Sequence, residues 1–493
     1  MRSEQMEREI LALYNVGEIQ KYIFKSNSLK EIIGASALAA NIIIEGLRAY
    51  IQDKVEKSEQ ADYMTDWEFD DSNTFLKDER VQMQVIYVWG CNAYVLFRTE
   101  NVWQNISRFL AKYILDKTYS LTLTTAAVQK SQFYKADCAD VFDKMMYLKL
   151  CKPSSLPMGA LPFMLTDTMT WYPVTYEENG LCLCTEAKLK RMAYSVIETN
   201  ESIIKYDSQK MLAICHIKDN SIEKRMQDAL CGTDDYEQSI RILRLLLKKT
   251  KEDQHEEFQK ATKYISRIAS NKNMIDNDIK YRMITADGDN IIFLCRPEFA
   301  IQMVKYYLGY LGTEKKCSAS GGIAFFDDRV SFQTAYSTAQ SCLESARMKA
   351  IENSSAKSVE IDRNYFDFQI CTNISEDHLN AYRSDRYLVN GHSVTARPYY
   401  VPLKKQTSDF SENGNSVENL EKWILKFQSI LPDKRNMIMK AIMRGRSSLE
   451  EATASLALRG YDVFKDQSGH NPIEESTIWF DALELMEYGI TGE

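Results

Sequence analysis

Apolar and polar positions divide the chain into strands and helices that follow one order twice. The apolar run Ile-Leu-Ala-Leu-Tyr-Asn-Val around residues 9–16 predicts a buried strand. A helical segment follows from 18 to about 51, with Ile19, Tyr22, Ile23, Ile32 and Ile33 at helical spacing. Ser26-Asn27-Ser28 interrupts it as a turn and a new N-cap. Residues 52–80 are polar and predict a mobile excursion. Strands at 81–88 and 93–98 flank the turn Trp89-Gly90-Cys91-Asn92. A helix at 102–116, a strand at 119–130 and a helix at 134–151 complete the series.

The series then returns. Residues 210–217 predict a strand, and 236–270 two helical pieces broken near the charged stretch 248–257. At 281–295, two apolar runs flank Asp287-Gly288-Asp289-Asn290, a hairpin signature. A helix at 298–311 carries Ile301, Val304, Leu308 and Leu311 on one face. A strand at 316–326, a helix at 331–351 and a strand near 358–362 follow. The pattern predicts an α+β chain with two ferredoxin-like (βαββαβ) units, at 1–151 and 207–375. A small insert, 152–206, lies between them, marked by Pro153, Pro157, Pro162 and Pro173 and ending in a helix near 186–198. Residues 376–493 form an extended region, 386–404, a linker-like stretch, 405–417, and a C-terminal helical domain. Leu420, Trp423, Ile424 and Phe427 make an apolar stripe there, and Ser448-Leu-Glu-Glu451 fits a capping box.

Composition changes little in this picture. With 45% hydrophobic and 26% charged residues, the 493-residue chain is that of a globular protein of several domains. A net charge of −8 excludes a molecule-wide attraction to nucleic acid, so such contact needs a local basic face. Lys434, Arg435, Lys440, Arg444 and Arg446 supply one candidate, either a solvated helix face or an RNA- and partner-contacting one. The 11 cysteines include no Cys-x-x-Cys, the N-terminus has no signal-peptide core, and no apolar run approaches a membrane span. A reduced, cytoplasmic location is expected. Cys182-Leu-Cys184 lacks the second pair that tetrahedral zinc needs, and reads better as alternate positions on a strand. His216 reads as a satisfied histidine at a strand end, and no Walker loop occurs.

The acidic hairpin is the candidate site. Two-metal phosphoryl transfer takes carboxylates from the end of one strand and from the hairpin tip of its neighbour. Asp219, Asp287 and Asp289 are the catalytic candidates, with Asp219 and Asp289 as metal ligands. The first repeat offers Asn15 and Gly90-Cys91-Asn92 at the same places, without a carboxylate, and at most binds a base or ribose.

The run from Asn15-Val-Gly-Glu-Ile-Gln-Lys-Tyr-Ile-Phe24 through Ser26-Asn27 to Gly34-Ala-Ser36 resembles the first palm domain of the large subunit of type III CRISPR effector complexes. Gly90-Cys-Asn92 resembles that family's first hairpin, and Ala286-Asp-Gly-Asp-Asn290 falls where its second palm carries Gly-Gly-Asp-Asp. Ser320-Gly-Gly-Ile323 and Ala346-Arg347 resemble later motifs, and the C-terminal helices resemble its last domain. The resemblance implies nucleotide contacts at Ser26, Asn27, Gly90, Asn92, Gly288, Asn290, Ser320 and Gly321. It implies guide and target RNA as partners within a complex of RAMP-type backbone and small helical subunits, with no membrane. Family members join ATP into cyclic oligoadenylates on target binding, and many carry a histidine–aspartate nuclease domain. No His-Asp dipeptide occurs here, so that domain is expected to be absent.

The resemblance also exposes departures. The family's strand-end Asp-x-Asp-Asn reads Ile217-Lys218-Asp219-Asn220, and Gly-Gly-Asp-Asp reads Asp287-Gly288-Asp289-Asn290. A lysine beside a metal position repels the cation, and each lost carboxylate weakens the site. The leading expectation is a scaffold subunit docked near the guide RNA 5′ end, with a degenerate cyclase palm and no resident cofactor. The rival is an active cyclase using Mg or Mn with ATP, and a third reading is nucleotide sensing without chemistry.

Overall fold

The computed structural model describes residues 8–69, 74–151, 161–178, 180–197, 211–271, 281–311, 317–353, 363–372, 379–402, 415–461 and 476–490. The chain divides into two compact units, each assembled from separated stretches. Unit one comprises Met1–Ile203, Ile222–His255 and Ile284–Asn290; unit two comprises Ile204–Ser221, Glu256–Met283 and Ile291–Glu493. No single helix among the described residues is long and apolar enough to cross a membrane.

The chain opens with β1 (Ile10–Val16), α1 (Ile19–Phe24), α2 (Leu29–Ala39), α3 (Ile42–Lys54) and β2 (Tyr63–Met64). It continues with β3 (Met83–Trp89), β4 (Asn92–Phe97), α4 (Glu100–Thr118), β5 (Leu123–Gln129) and α5 (Tyr134–Cys151). The order β2-β3-β4-β1-β5 puts β1 between β4 and β5, antiparallel to both, as a βαββαβ unit requires. Every residue of β1 is buried, which explains its unbroken apolar sequence. α4 starts where the Thr99 side chain accepts the Val102 N–H. A hairpin of β6 (Val174–Glu178) and β7 (Leu181–Cys184) leads into α6 (Thr185–Ile197). α6 lies against α2 so closely that a Cβ on Gly34 would fall 1.7 Å from the Lys190 carbonyl oxygen. The small residues of α2 are thus a packing requirement.

Next come β8 (Leu212–Asp219), α7 (Ile222–Ala229), α8 (Tyr236–Asn271), β9 (Tyr281–Asp287) and β10 (Asn290–Cys295). Then α9 (Pro297–Tyr310), β11 (Ala319–Phe326), α10 (Phe332–Glu352), β12 (Asn364–Ile370) and α11 (Leu379–Arg386). The short strands β13 (Leu388–Val389), β14 (His392–Ser393) and β15 (Tyr399–Val401) precede α12 (Val417–Gln428), α13 (Pro432–Ile442), α14 (Arg446–Leu458) and α15 (Ser476–Glu487). The second large sheet runs β15-β12-β11-β8-β10-β9. Its strands β9-β10-β8-β11 repeat the order β3-β4-β1-β5 of the first sheet, and β12 and β15 extend it. One apolar core joins Ala213, Cys215, Ile217 and Phe293 of the sheet to Trp423, Phe427 and Trp479 of the last helices. A buried Arg397 is pinned to Asp481 and Glu484, tying the β15 approach to α15.

Several local expectations change. The 52–80 excursion contains β2, parallel to β3, and buries Trp67 and Phe75; Arg98 lies 3.9 Å above the Phe75 ring and donates to its carbonyl. α8 does not break at 248–257. Thr250, Gln254 and Glu257 are buried there, so its inward face turns polar without leaving helical spacing. The 18–51 helix is three helices, with a second break at Asn41 in left-handed conformation. The last helix-rich segment begins at Ser416, whose side chain accepts the Asn419 N–H; α14 starts at Arg446 after Gly445, so Ser448 is no cap. Tyr399–Val401 is the only part of 386–404 in the large sheet among the described residues. The strand expected near 358–362 and most of 405–417 lie outside the described residues; a strand follows at Asn364–Ile370.

Candidate functional site

Two hairpin turns meet within unit one. Gly90 and Gly288 both sit in the left-handed region, at φ 60° and 67°, where a side chain is strained. A Cβ on Gly288 would lie 3.0 Å from Gly90 Cα and 3.1 Å from its nitrogen, so the turns touch backbone to backbone. Gln254 on α8, itself buried, donates to the Gly288 carbonyl at 3.1 Å, and Ser36 on α2 donates to the carbonyl of Ile284. The sequence suggested two similar hairpins; the fold brings their turns together.

The first turn is tied to β1 by amides. Asn15 Nδ2 donates to Asn92 Oδ1 at 2.8 Å and lies 3.3 Å from Cys91 Sγ, while the Val16 N–H donates to the Cys91 carbonyl at 3.1 Å. Asn15 is 2% exposed, and its Oδ1 is buried without a hydrogen-bond partner. In the second turn, Asn290 Nδ2 donates to Asp289 Oδ1 at 2.6 Å.

Asp219 closes β8. Its Oδ1 accepts from the Ser221 N–H and hydroxyl, each at 2.8 Å, immediately before α7 begins. Ile217 is buried in the core of unit two, on the strand face it shares with Ala213 and Cys215. A pair of divalent cations takes several carboxylate oxygens at once. Asp219 and Asp289 each already commit an oxygen to a neighbour's donor. No group of three or more His, Cys, Asp or Glu side chains gathers among the described residues. Asp287 ends β9 by its backbone, and its side chain lies outside the described residues.

A cavity of about 230 Å³ lies beside the turns, lined among others by Trp67, Trp89, Lys251, Gln254 and Gly288. Lys251 pairs with Glu68 at 2.6 Å, and Arg48 pairs with Asp66 on the same wall. Both pairs are solvent-exposed and individually weak. Trp67 and Trp89 give the cavity an aromatic wall, and Glu45, Asp66 and Glu68 line it with the two cations. Sequence reasoning missed this cavity because it treated 52–80 as an excursion. The aromatic residues Trp67 and Phe69 in a polar stretch were the available signal.

The remaining predicted residues scatter. Ser26 and Asn27 line a different cavity. Ser320 is buried and accepts from Asn220 Nδ2 at 2.9 Å, and a Cβ on Gly321 would meet Val304 Cγ1 at 2.8 Å, so both positions serve the sheet interior. His216 is buried and stacked on Tyr336 with centroids 5.7 Å apart. Cys184 is buried and Cys182 exposed, two residues apart on β7. Of the basic residues, Lys434 pairs with Asp433, Arg435 donates to the Ile430 carbonyl and Arg446 pairs with Glu450; Lys440 and Arg444 are exposed.

No family model matches the sequence, and no curated protein matches it. The fold resembles that of Csm1. Csm1 from T. onnurineus matches with a TM-score of 0.54 and 13% identity, over 98% of this chain and 70% of that one. A Csm1–Csm4 cassette in complex with one ATP matches at 0.51 and 12% identity, over 99% of this chain and 70% of that chain. At this identity the likeness concerns fold alone.

Proposed function

We propose that the chain is the large, two-palm subunit of a type III CRISPR-like RNA-guided effector complex. The touching hairpin turns carry this reading: two βαββαβ units present their turn glycines to one another, as expected of paired palms. The fold likeness to Csm1 over 98% of this chain and the Asn15–Ser36 resemblance support it. Residues 1–151 and 207–375 are the palms, 152–206 the insert between them and 376–493 the C-terminal part. In this role the chain docks near the guide RNA 5′ end beside RAMP-type backbone and small helical subunits, with Lys440 and Arg444 available to a phosphate backbone.

The cyclase turn is degenerate on this reading. Ile217 fills an apolar core position, and Asp219 caps the turn before α7. The cavity beside the turns keeps an aromatic wall, Trp67 and Trp89, against which a base could stack. Co-expression with neighbouring genes should yield the protein carrying a small RNA; recovering it alone and RNA-free would sink the assignment. Incubation of that complex with labelled ATP, Mn²⁺ and target RNA should give no cyclic oligoadenylate. A product abolished by Asp289→Ala would replace the degenerate palm with an active one.

A further inference from the structure

A cavity of about 180 Å³ within unit one is walled by Ser26, by Asp167–Thr170, by β7 and by the first turns of α6. Its lining carries three carboxylates, Glu31, Asp167 and Glu186, against two cations, Lys190 and Arg191. Glu186 and Lys190 pair at 2.7 Å with 0% and 1% of their side chains exposed, and Arg191 donates to Glu31 at 2.8 Å. Asp167 is left over. Its Oδ1 caps the following turn, accepting from the Met169 and Thr170 N–H groups and from the Thr170 hydroxyl. Outside the lining, Glu178 lies 3.5 Å from Arg191 and Lys25 lies over the Tyr172 ring, one charge of each sign. The cavity therefore holds one uncompensated negative charge.

Lys190 Nζ donates to Glu186 Oε1 and to the Tyr22 carbonyl, each at 2.7 Å, whereas Glu186 Oε2 is buried with no hydrogen-bond partner. A carboxylate oxygen held this way calls for a donor, and the surplus charge asks that the donor be a cation. Leu181, Leu183 and Met169 supply apolar wall, which suits a carbon chain and gives a bare metal ion no ligand. One water needs only ~10–15 Å³, so the cavity admits a small molecule. We propose that it binds a primary aliphatic amine, the ammonium donating to Glu186 Oε2 and the chain lying along the apolar wall. Glu186 then stands between two ammoniums and gives one oxygen to each, and the lining becomes neutral. None of the lining residues belongs to either hairpin turn, so the site stands whether or not the chain is a CRISPR subunit.

Calorimetry on the full chain at physiological salt tests this with n-butylamine and n-butanol, equal in length and different in the ammonium. The amine should bind one per chain, about tenfold or more tighter than the alcohol. Glu186→Gln keeps an amide oxygen on Lys190 and turns its NH₂ toward the ligand, so donor faces donor and the amine should lose about tenfold or more. Asp167→Asn keeps the Oδ1 acceptor of its turn and removes the surplus charge. It should weaken binding in the same direction, and it carries the test if the Glu186 variant does not fold. Thr168→Trp, at an exposed lining position, should block the site without touching the buried pair. No amine binding, equal binding of the alcohol, displacement by an equal concentration of magnesium, or binding that survives all three substitutions as a loose counterion's would, overturns the assignment.

Discussion

The two sheets share a strand order and finish their first strands differently. β1 carries Asn15 one residue before its end, an amide buried to 2% and bonded across the strands to Asn92. β8 ends at Asp219, a carboxylate at 9% exposure that meets the N–H and hydroxyl of Ser221. A neutral amide survives deep burial with one partner, whereas a carboxylate at the same point in the repeat needs local donors. The repeat conserves backbone placement and leaves charge to each strand end.

The sharpest way to break this contrast is to move the charge. Asn15→Asp should destabilise unfolding transitions by about 3 kcal/mol at pH 8, because a buried carboxylate would face Asn92 Oδ1. Burial raises the folded pKa of such an acid above the unfolded value of ~3.9, so the native state holds its proton longer. Stability then falls as pH rises through that window, and the deficit should shrink toward pH 4. A urea midpoint deficit independent of pH would show that the site tolerates charge. The turns come next. Gly288→Ala adds a strained conformation and a backbone clash, and should cost about 2 kcal/mol; Gly90→Ala has open space and should cost about 1 kcal/mol from conformation alone. Equal losses would mean that the two turns are not in contact. The smallest effect is expected at Asp219→Asn, which keeps the Oδ1 acceptor for Ser221 and should change stability by less than about 0.5 kcal/mol.

Legibility followed periodicity. β1, β3, β4 and β8 are visible from their apolar runs, and the β3–β4 and β9–β10 hairpins from Gly90 and Gly288. Thr250, Gln254 and Glu257 interrupt the apolar periodicity of α8 because they are polar; burial of polar side chains depends on partners such as the Gly288 carbonyl, which lie far off in sequence. β2 was hidden for the same reason, since its two residues gain meaning only beside β3. At the candidate site, sequence spacing located the acidic turn. It could not reveal that Gly90 and Gly288 would touch, nor that Ser26 and Asn27 would open onto Glu186.

The assignment of Ile284–Asn290 to unit one has a consequence for synthesis. A nascent chain that has emerged through residue 203 still lacks Ile222–His255 and that short turn segment, so the first unit cannot close as the ribosome delivers it. All five strands of its β1 sheet have emerged by then, but the stretches that complete the unit follow only after more than half the protein has been made. Slow codons or a bound chaperone would matter most between those two points, and a fragment ending at residue 203 is expected to aggregate instead of folding.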